Sequence, residues 1–207
     1  MRRVILMAMC VALIALVAAP ARAQELSKAD RAELVKYLKK TRDNAEKATR
    51  GLSAEQLNFK PAPERWSVAQ CIEHIAAAED LLYATITNNV MKSPAPAEPF
   101  DPAKSHDIDA KVKAGVTDRS QKAQAPEALV PTNRFGSPNG SWQHFLDSRE
   151  RTIAFAQNEK GLRAHAMDNP VAKGLDAYQW LLFLSAHSAR HTAQILEVKA
   201  DPNFPKK

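Results

Sequence analysis

The sequence is poor in cysteine, with 2 among 207 residues. One of them, Cys10, lies inside an apolar N-terminal run, so removal of that run leaves Cys71 alone. A single cysteine cannot form an intrachain disulfide, which excludes a small fold held together by disulfides. The stability of the chain must therefore come from its hydrophobic core, with help from a bound metal as one option.

Strand patterns and strong charge are also scarce. No sustained alternation of apolar and polar residues occurs, and the 13 prolines and 6 glycines lie mostly between stretches of helical spacing or near the ends. The formal net charge of +6 includes three N-terminal arginines, Arg2, Arg3 and Arg22, which leaves +6 − 3 = +3 for the rest of the chain. These features indicate an all-α protein, and such a mild positive charge argues against nucleic-acid binding.

The single long apolar run stands at the N terminus, over residues 4–19, directly after two arginines. It is shorter than the ~20 residues that a permanent membrane span needs. It is followed by Ala21-Arg22-Ala23, which fits the small-residue pattern that signal peptidase accepts. We therefore predict a signal peptide over residues 1–23 and no stable membrane anchor; the alternative is an uncleaved N-terminal anchor. Residues 24–207 are then one exported domain, periplasmic or secreted.

Four stretches with helical spacing of apolar residues follow, each opened by a side chain that can cap a first turn. They run from Ser27 to about Leu52, from Ser67 to about Met91, from Ser141 to Gln157, and from Asp176 to about Lys199. Two of them begin with a capping-box pattern, Ser67 with Gln70 and Asp176 with Gln179. The long proline-rich connection between the second and third stretches leaves room for a short extra helix over residues 107–118. The pattern predicts an all-α four-helix bundle with a long connection between helices 2 and 3.

Two histidines lie on the apolar seam of the fourth predicted helix. His187 and His191 follow Leu184 and precede Ile195 at alternating steps of three and four residues. Imidazoles at positions i and i+4 project from one face, about one turn apart, and can bind the same metal ion. Burial of two imidazoles is costly unless a metal, a carboxylate or water satisfies them. The pair is therefore a candidate for metal ligation.

A third histidine, His74, lies in the second predicted helix on a stripe with Cys71, Ala78 and Leu81, and these neighbours indicate that His74 also faces inward. Three imidazoles that converge from two helices form an open metal site, in which water completes the coordination shell. The alternative is three unrelated histidines satisfied by backbone or solvent. Spacing alone does not decide between these interpretations.

Other polar residues near these positions receive simpler interpretations. Surface positions are expected for three histidines, His106, His144 and His165. Cys71 is interpreted as a small core residue, with a fourth zinc ligand as the alternative. Neither Glu73 nor Glu79 has the helical offset that would aim it at a metal, so no catalytic residue or general base is assigned. Arg190 either orients a substrate or has an exposed or capping position.

The residues around the candidate ligands resemble a known family. Two segments carry the resemblance: Arg65-Trp66-Ser67-Val68-Ala69-Gln70-Cys71-Ile72-Glu73-His74 and His187-Ser188-Ala189-Arg190-His191-Thr192-Ala193-Gln194-Ile195. Shorter matches are Phe135-Gly136, Ser141-Trp142, Asp168-Asn169-Pro170 and Gly174. In this order and separation they resemble the DinB-like superfamily of metal-binding four-helix bundles over essentially the whole chain after residue 23. The resemblance implies a bundle that is often dimeric and binds a divalent ion through His74, His187 and His191.

Two functions are compatible with such a site. In a metal-dependent hydrolase or transferase, the ion would polarise a carbonyl group or lower the pKa of bound water or a bound thiol. The alternative is a non-catalytic periplasmic module that binds a metal or a small ligand. His187-Ser188-Ala189-Arg190-His191 lacks the glutamate of H-E-x-x-H, which argues against a peptidase. Three imidazoles favour zinc or nickel. The small-molecule partner is unspecified, and the resemblance leaves a homodimer as one option.

Overall fold

The computed structural model describes residues 26–96, 100–120, 124–169 and 172–206, so the predicted signal peptide lies outside the described residues. The described part contains six α-helices and two short β-strands. The helices are α1 (Lys28–Thr49), α2 (Ala54–Asn58), α3 (Val68–Asn88), α4 (Pro102–Thr117), α5 (Pro138–Asn158) and α6 (Ala177–Lys199). The strands are β1 (Ala166–Asn169) and β2 (Ala172–Asp176), and single 3-10 turns lie at Val90–Lys92 and Glu127–Leu129. None of the described helices combines the length and the apolar character that a membrane span requires.

Four of the helices form the predicted bundle. Helix α1 packs against α5 and α6, and α3 packs against the same two helices, so α1 and α3 stand at diagonal corners. Helix α4 packs on α6 from outside this square. The prediction of an all-α four-helix bundle is confirmed, as is the long connection between its second and third helices, which contains α4.

The helix starts follow local capping chemistry. Capping boxes form at Ser67 with Gln70 and at Asp176 with Gln179, as predicted. The third bundle helix begins earlier than predicted, because Ser137 rather than Ser141 accepts the first-turn hydrogen bond and a proline occupies the first turn, where no N–H is needed. Helix α4 likewise begins behind Asp101, whose carboxylate accepts from two backbone N–H groups.

The sequence pattern did not predict the short helix α2 or a two-stranded hairpin. Strands β1 and β2 pair antiparallel, with Ala166 opposite Asp176 and Met167 opposite Leu175. The strands have four and five residues, too few to show an alternating pattern. Gly174 adopts a positive φ of 63°, which L side chains rarely accept. The hairpin leads directly into the N-cap of α6 and so fixes where that helix begins.

The core consists of two apolar halves. One contains the N-terminal half of α6 with Leu34, Leu38 and Ile86, and the other contains Val68, Phe145 and the C-terminal half of α6. Between these halves, in every bundle helix, lie buried polar side chains. We call them the polar layer: Thr41, Glu79, Arg149, Thr152, Ser185 and Ser188.

The stripe that carries His74 is only partly inward-facing. Cys71, His74 and Ala78 are buried, but Leu81 is 44% exposed. The expectation that His74 faces inward is therefore confirmed, although Leu81, two helical turns later on the same face, is exposed.

Candidate metal centre

The three predicted histidines lie together where α3 faces α6. His74 comes from the first half of α3, and His187 and His191 lie one turn apart on α6. One nitrogen of each imidazole lies within 4.8 Å of the others. Among the histidine, cysteine and acidic side chains of the described residues, these three form the group that could hold a metal ion. His74 and His191 are buried and His187 is half-buried. Helix packing, not proximity in sequence, brings His74 to the pair.

The outward-facing nitrogens of two imidazoles are held by neighbouring acceptors. His74 Nδ1 lies 2.8 Å from the carbonyl oxygen of Leu129, and His191 Nδ1 lies 2.8 Å from Oε1 of Gln194. A carbonyl oxygen can only accept, so both Nδ1 atoms donate and both Nε2 atoms keep an unprotonated lone pair. Metal-binding histidines are typically oriented in this way by a second hydrogen bond.

Two of the three inward-facing nitrogens have the separation that a shared ion requires. His74 Nε2 lies 3.2 Å from His187 Nε2. Two nitrogens that each bind a zinc ion at about 2.0–2.1 Å, with an angle of roughly 90–109° between them, lie about 2.8–3.4 Å apart. The donor set and its spacing therefore fit a divalent metal ion.

Aromatic rings close one side of the cluster. The ring centroid of Trp66 lies 4.7 Å from that of His74 and 6.1 Å from that of His191. Phe183 stacks on His187 with a centroid distance of 6.4 Å. These rings pack against the imidazoles, so the histidines are held in position by packing as well as by hydrogen bonds.

The environment disfavours protonated imidazole at all three positions. Burial lowers the pKa of His191 to about 3, with help from the neighbouring His74. Burial is also the main cause of the lowered pKa values of His187 and His74. The three side chains are thus neutral at pH 7, the form in which imidazole binds metals.

These shifts predict acid sensitivity of the metal-free protein. The folded state keeps His187 neutral, whereas the unfolded chain takes up a proton near pH 6.5, so the free energy of unfolding falls as pH falls through that value. Between pH 7.5 and 5.5, this one residue should contribute a loss on the order of 1 kcal/mol. Urea unfolding in the presence of a chelator would measure it. His187→Asn should lose correspondingly less stability over this range, and an equal loss in both proteins would contradict the prediction.

The remaining histidines lie elsewhere, as predicted. His106 bonds to Asp30, His144 to Asp80, and His165 to the carbonyl of Ser93. Each therefore has a local partner of its own and none belongs to the three-histidine group.

Cys71 has the predicted core position. Its side chain is fully buried in the apolar half of the core that contains Val68 and Phe145, and it is not part of the three-histidine group. Burial raises the pKa of the Cys71 thiol to about 12. Because its sulfur is not among the clustered donor atoms, the alternative of a fourth zinc ligand is not supported.

The two glutamates that flank His74 also point away from the cluster, as their spacing suggested. Glu79 belongs to the polar layer, where Arg149 donates to both of its carboxylate oxygens at 2.8 and 2.7 Å. Glu73 accepts hydrogen bonds from the loop around residue 133. Arg190 has the predicted capping role, since its Nη1 donates to the carbonyls of Val116 and Asp118 at the C-terminal end of α4.

Four contributors to the centre were not predicted from the sequence. Gln194 is three residues after His191 on the same helical face, a spacing that could have revealed it. Trp66 and Phe183 are aromatic residues, and single aromatic residues predict core packing in general rather than a place beside a metal. The Leu129 carbonyl is a backbone group in the long connection and has no sequence signature.

Comparisons with known proteins agree with this geometry. The family model described as the DinB superfamily matches residues 37–195. The uncharacterised protein YuaE of Bacillus subtilis (strain 168) is 28% identical over 151 residues, which cover 72% of this chain and 87% of YuaE. The solved structure of YfiT from Bacillus subtilis superposes with a TM-score of 0.57 at 16% identity and covers 87% of this chain and 91% of YfiT. YfiT is described as a probable metal-dependent hydrolase with an unusual four-helix bundle topology.

The family match spans well over half of the chain and includes all three clustered histidines. The structural similarity to YfiT covers the same bundle. On both grounds, this chain belongs to the DinB superfamily.

Proposed function

We propose that the protein is a metal-dependent hydrolase of small molecules in which His74, His187 and His191 bind one divalent ion, zinc or nickel. The observation that carries the proposal is the convergence of three imidazole nitrogens within 4.8 Å. The outward nitrogens of His74 and His191 are fixed by acceptors, which orients the inward ones for ligation. The description of YfiT as a probable metal-dependent hydrolase supports the same assignment.

The ligand set explains why such a centre suits catalysis. When bound, the ion polarises a carbonyl group and lowers the pKa of a bound water to about 7. Three protein ligands leave a coordination position for water or substrate, whereas structural zinc sites use four. The protein itself orients the imidazoles, keeps them neutral through burial, and packs Trp66 and Phe183 against them.

The centre does not have the layout of a peptidase. The glutamate of H-E-x-x-H is replaced by Ser188. The Ser188 hydroxyl accepts from Arg149 Nη2 at 2.7 Å, so this position belongs to the polar layer and not to proton transfer. Small substrates that need no protein general base fit better than peptides.

The hydrolase proposal predicts activity that depends on the ion and on the cluster. Purified protein should bind about one equivalent of zinc or nickel per chain and hydrolyse at least one member of a panel of small esters, amides and lactones. A chelator should abolish turnover, and zinc should restore it. His187→Ala should remove both binding and turnover, whereas His165→Ala should keep both, because His165 bonds to Ser93 away from the cluster.

A non-catalytic metal or small-ligand binder is the second candidate. It is favoured by one observation: the group of clustered side chains in the described residues contains no carboxylate that could act as a base. Stoichiometric metal binding without turnover across the panel would support this function over the hydrolase.

We further propose that the protein is exported after cleavage behind Ala23. The N-terminal pattern of two arginines, an apolar run and Ala21-Arg22-Ala23 supports this. Intact-mass analysis of protein from the periplasm or medium should give a chain that starts at Gln24. Recovery of the chain with Met1 in the membrane fraction would refute it.

A further inference from the structure

Glu73 makes an unusual set of contacts for a residue next to a metal ligand. It is 5% exposed, and its carboxylate accepts hydrogen bonds from three successive backbone N–H groups. The donors are Thr132 at 2.7 Å, Asn133 at 2.9 Å and Arg134 at 3.0 Å. Successive N–H groups that converge in this way form a concave anion-binding site, here filled by a side chain of the same protein.

The loop conformation depends on this carboxylate. Asn133 has a positive φ of 62°, a backbone region that residues other than glycine adopt only at a cost. This conformation turns the three N–H groups toward Glu73, and the hydrogen bonds that they donate offset the cost. Without the carboxylate, the three N–H donors would lack their common acceptor.

Arg134 connects the same loop to the residues on either side of Leu129. Its Nη1 donates to the Ala128 carbonyl and its Nη2 to the Val130 carbonyl, both at 2.8 Å, while its Nε lies 3.4 Å from Glu73. The guanidinium thus donates to the carbonyls of Ala128 and Val130. The carbonyl between them, that of Leu129, does not bond to Arg134. The Leu129 side chain packs against Ala77 and Ala78 of α3.

The Leu129 carbonyl is the acceptor for His74 Nδ1, at 2.8 Å. The chain of contacts therefore runs from Glu73 through Arg134 and Leu129 back to His74, the residue that follows Glu73 in sequence. One carboxylate on α3 holds a loop that in turn holds the neighbouring imidazole.

Given the metal site proposed above, we infer that Glu73 is a positioning residue for that site: it fixes the loop of residues 128–134 so that the Leu129 carbonyl orients His74 for metal binding. The carboxylate does not contact the ligand nitrogens themselves. Its effect on the metal passes through the loop.

The test is zinc and cobalt binding by the full chain and by Glu73→Gln. The glutamine amide keeps the shape but presents one acceptor oxygen and an NH₂ group to the three N–H donors. Zinc affinity, measured by competition with a chromophoric chelator, should fall about 10- to 100-fold, the usual effect of removing an outer-shell partner of a metal-binding histidine. The visible absorption of the cobalt-loaded variant should change, because the orientation of His74 changes.

Arg134→Met provides a second variant, useful in case Glu73→Gln does not fold. Arg134 is partly exposed, and this variant removes its hydrogen bonds to the carbonyls of Ala128 and Val130. It should therefore also lower zinc affinity. Because both residues act through one loop, the double variant should lose less than the product of the two single losses. Asp101→Ala is the matched control: it removes the N-cap of α4, which lowers stability, and should leave zinc affinity and the cobalt spectrum unchanged.

The outcomes separate this inference from the function on which it rests. A wild-type chain that binds no metal would refute both. Wild-type zinc affinity and an unchanged cobalt spectrum in folded Glu73→Gln or in Arg134→Met would overturn the role of Glu73 and leave the three-histidine site intact.

Discussion

Replacement of Arg149 by methionine is expected to destabilise the protein by about 3–5 kcal/mol, because it leaves the Glu79 carboxylate buried without its charged partner. Arg149 is fully buried and donates to Glu79 on α3, Thr41 on α1 and Ser188 on α6. It therefore connects all four bundle helices through one guanidinium. A loss of this size should lower the melting temperature by roughly 6–20 °C.

Thermal unfolding of Arg149→Met beside Arg151→Met measures this effect. Arg151 also pairs with a carboxylate, Asp80, but its side chain is 51% exposed, and such pairs contribute about 1 kcal/mol or less. The double variant Arg149→Met/Glu79→Leu removes both charges and should regain part of the lost stability. A buried ion pair carries a free-energy cost of desolvation that an apolar pair does not. Equal melting temperatures for Arg149→Met and Arg151→Met would show that the polar layer does not connect the helices as described.

The second large effect concerns metal-induced stability. Because the ion joins α3 to α6, His74→Ala should cancel most of the gain that metal gives to the wild type. Binding to the folded state alone raises stability by roughly 3–4 kcal/mol at metal concentrations of 100 to 1,000 times the dissociation constant. The measurement is the difference in melting temperature with and without zinc, so that any loss of stability from the missing ring cancels.

His106→Ala and His165→Ala are the controls for this experiment. Both residues have hydrogen-bond partners outside the cluster, Asp30 and the Ser93 carbonyl. Their variants should keep the full zinc-dependent shift. A wild-type shift in His74→Ala, together with a lost shift in either control, would mean that the third ligand has been misassigned.

The bundle could be predicted from sequence because its signals are local. A capping box such as Ser67 with Gln70 involves residues three apart, and an apolar seam repeats within one helix. The hairpin could not be predicted in this way, because its strands are too short for an alternating pattern and are defined by pairing with each other. The early start of α5 was missed because two serines, Ser137 and Ser141, compete for one cap.

The residues of the site also differ in whether local spacing can reveal them. His187 and His191 are recognisable as a pair because one helical turn separates them. His74 could be added only from its position on a buried stripe and from the family resemblance. The Leu129 carbonyl that orients His74 and the Arg149–Glu79 pair below it depend on contacts between residues 55 and 70 positions apart, which periodicity does not report.

X-ray absorption spectroscopy at the zinc edge on stoichiometrically loaded protein tests the three-histidine centre most directly. The structure predicts three imidazole nitrogens at about 2.0–2.1 Å with water or another oxygen ligand completing the shell, and no sulfur. His74→Ala should reduce the imidazole contribution or leave too little metal to measure. A sulfur ligand at about 2.3 Å, which would place Cys71 on the metal, or fewer than three imidazoles in the wild type would contradict the assignment.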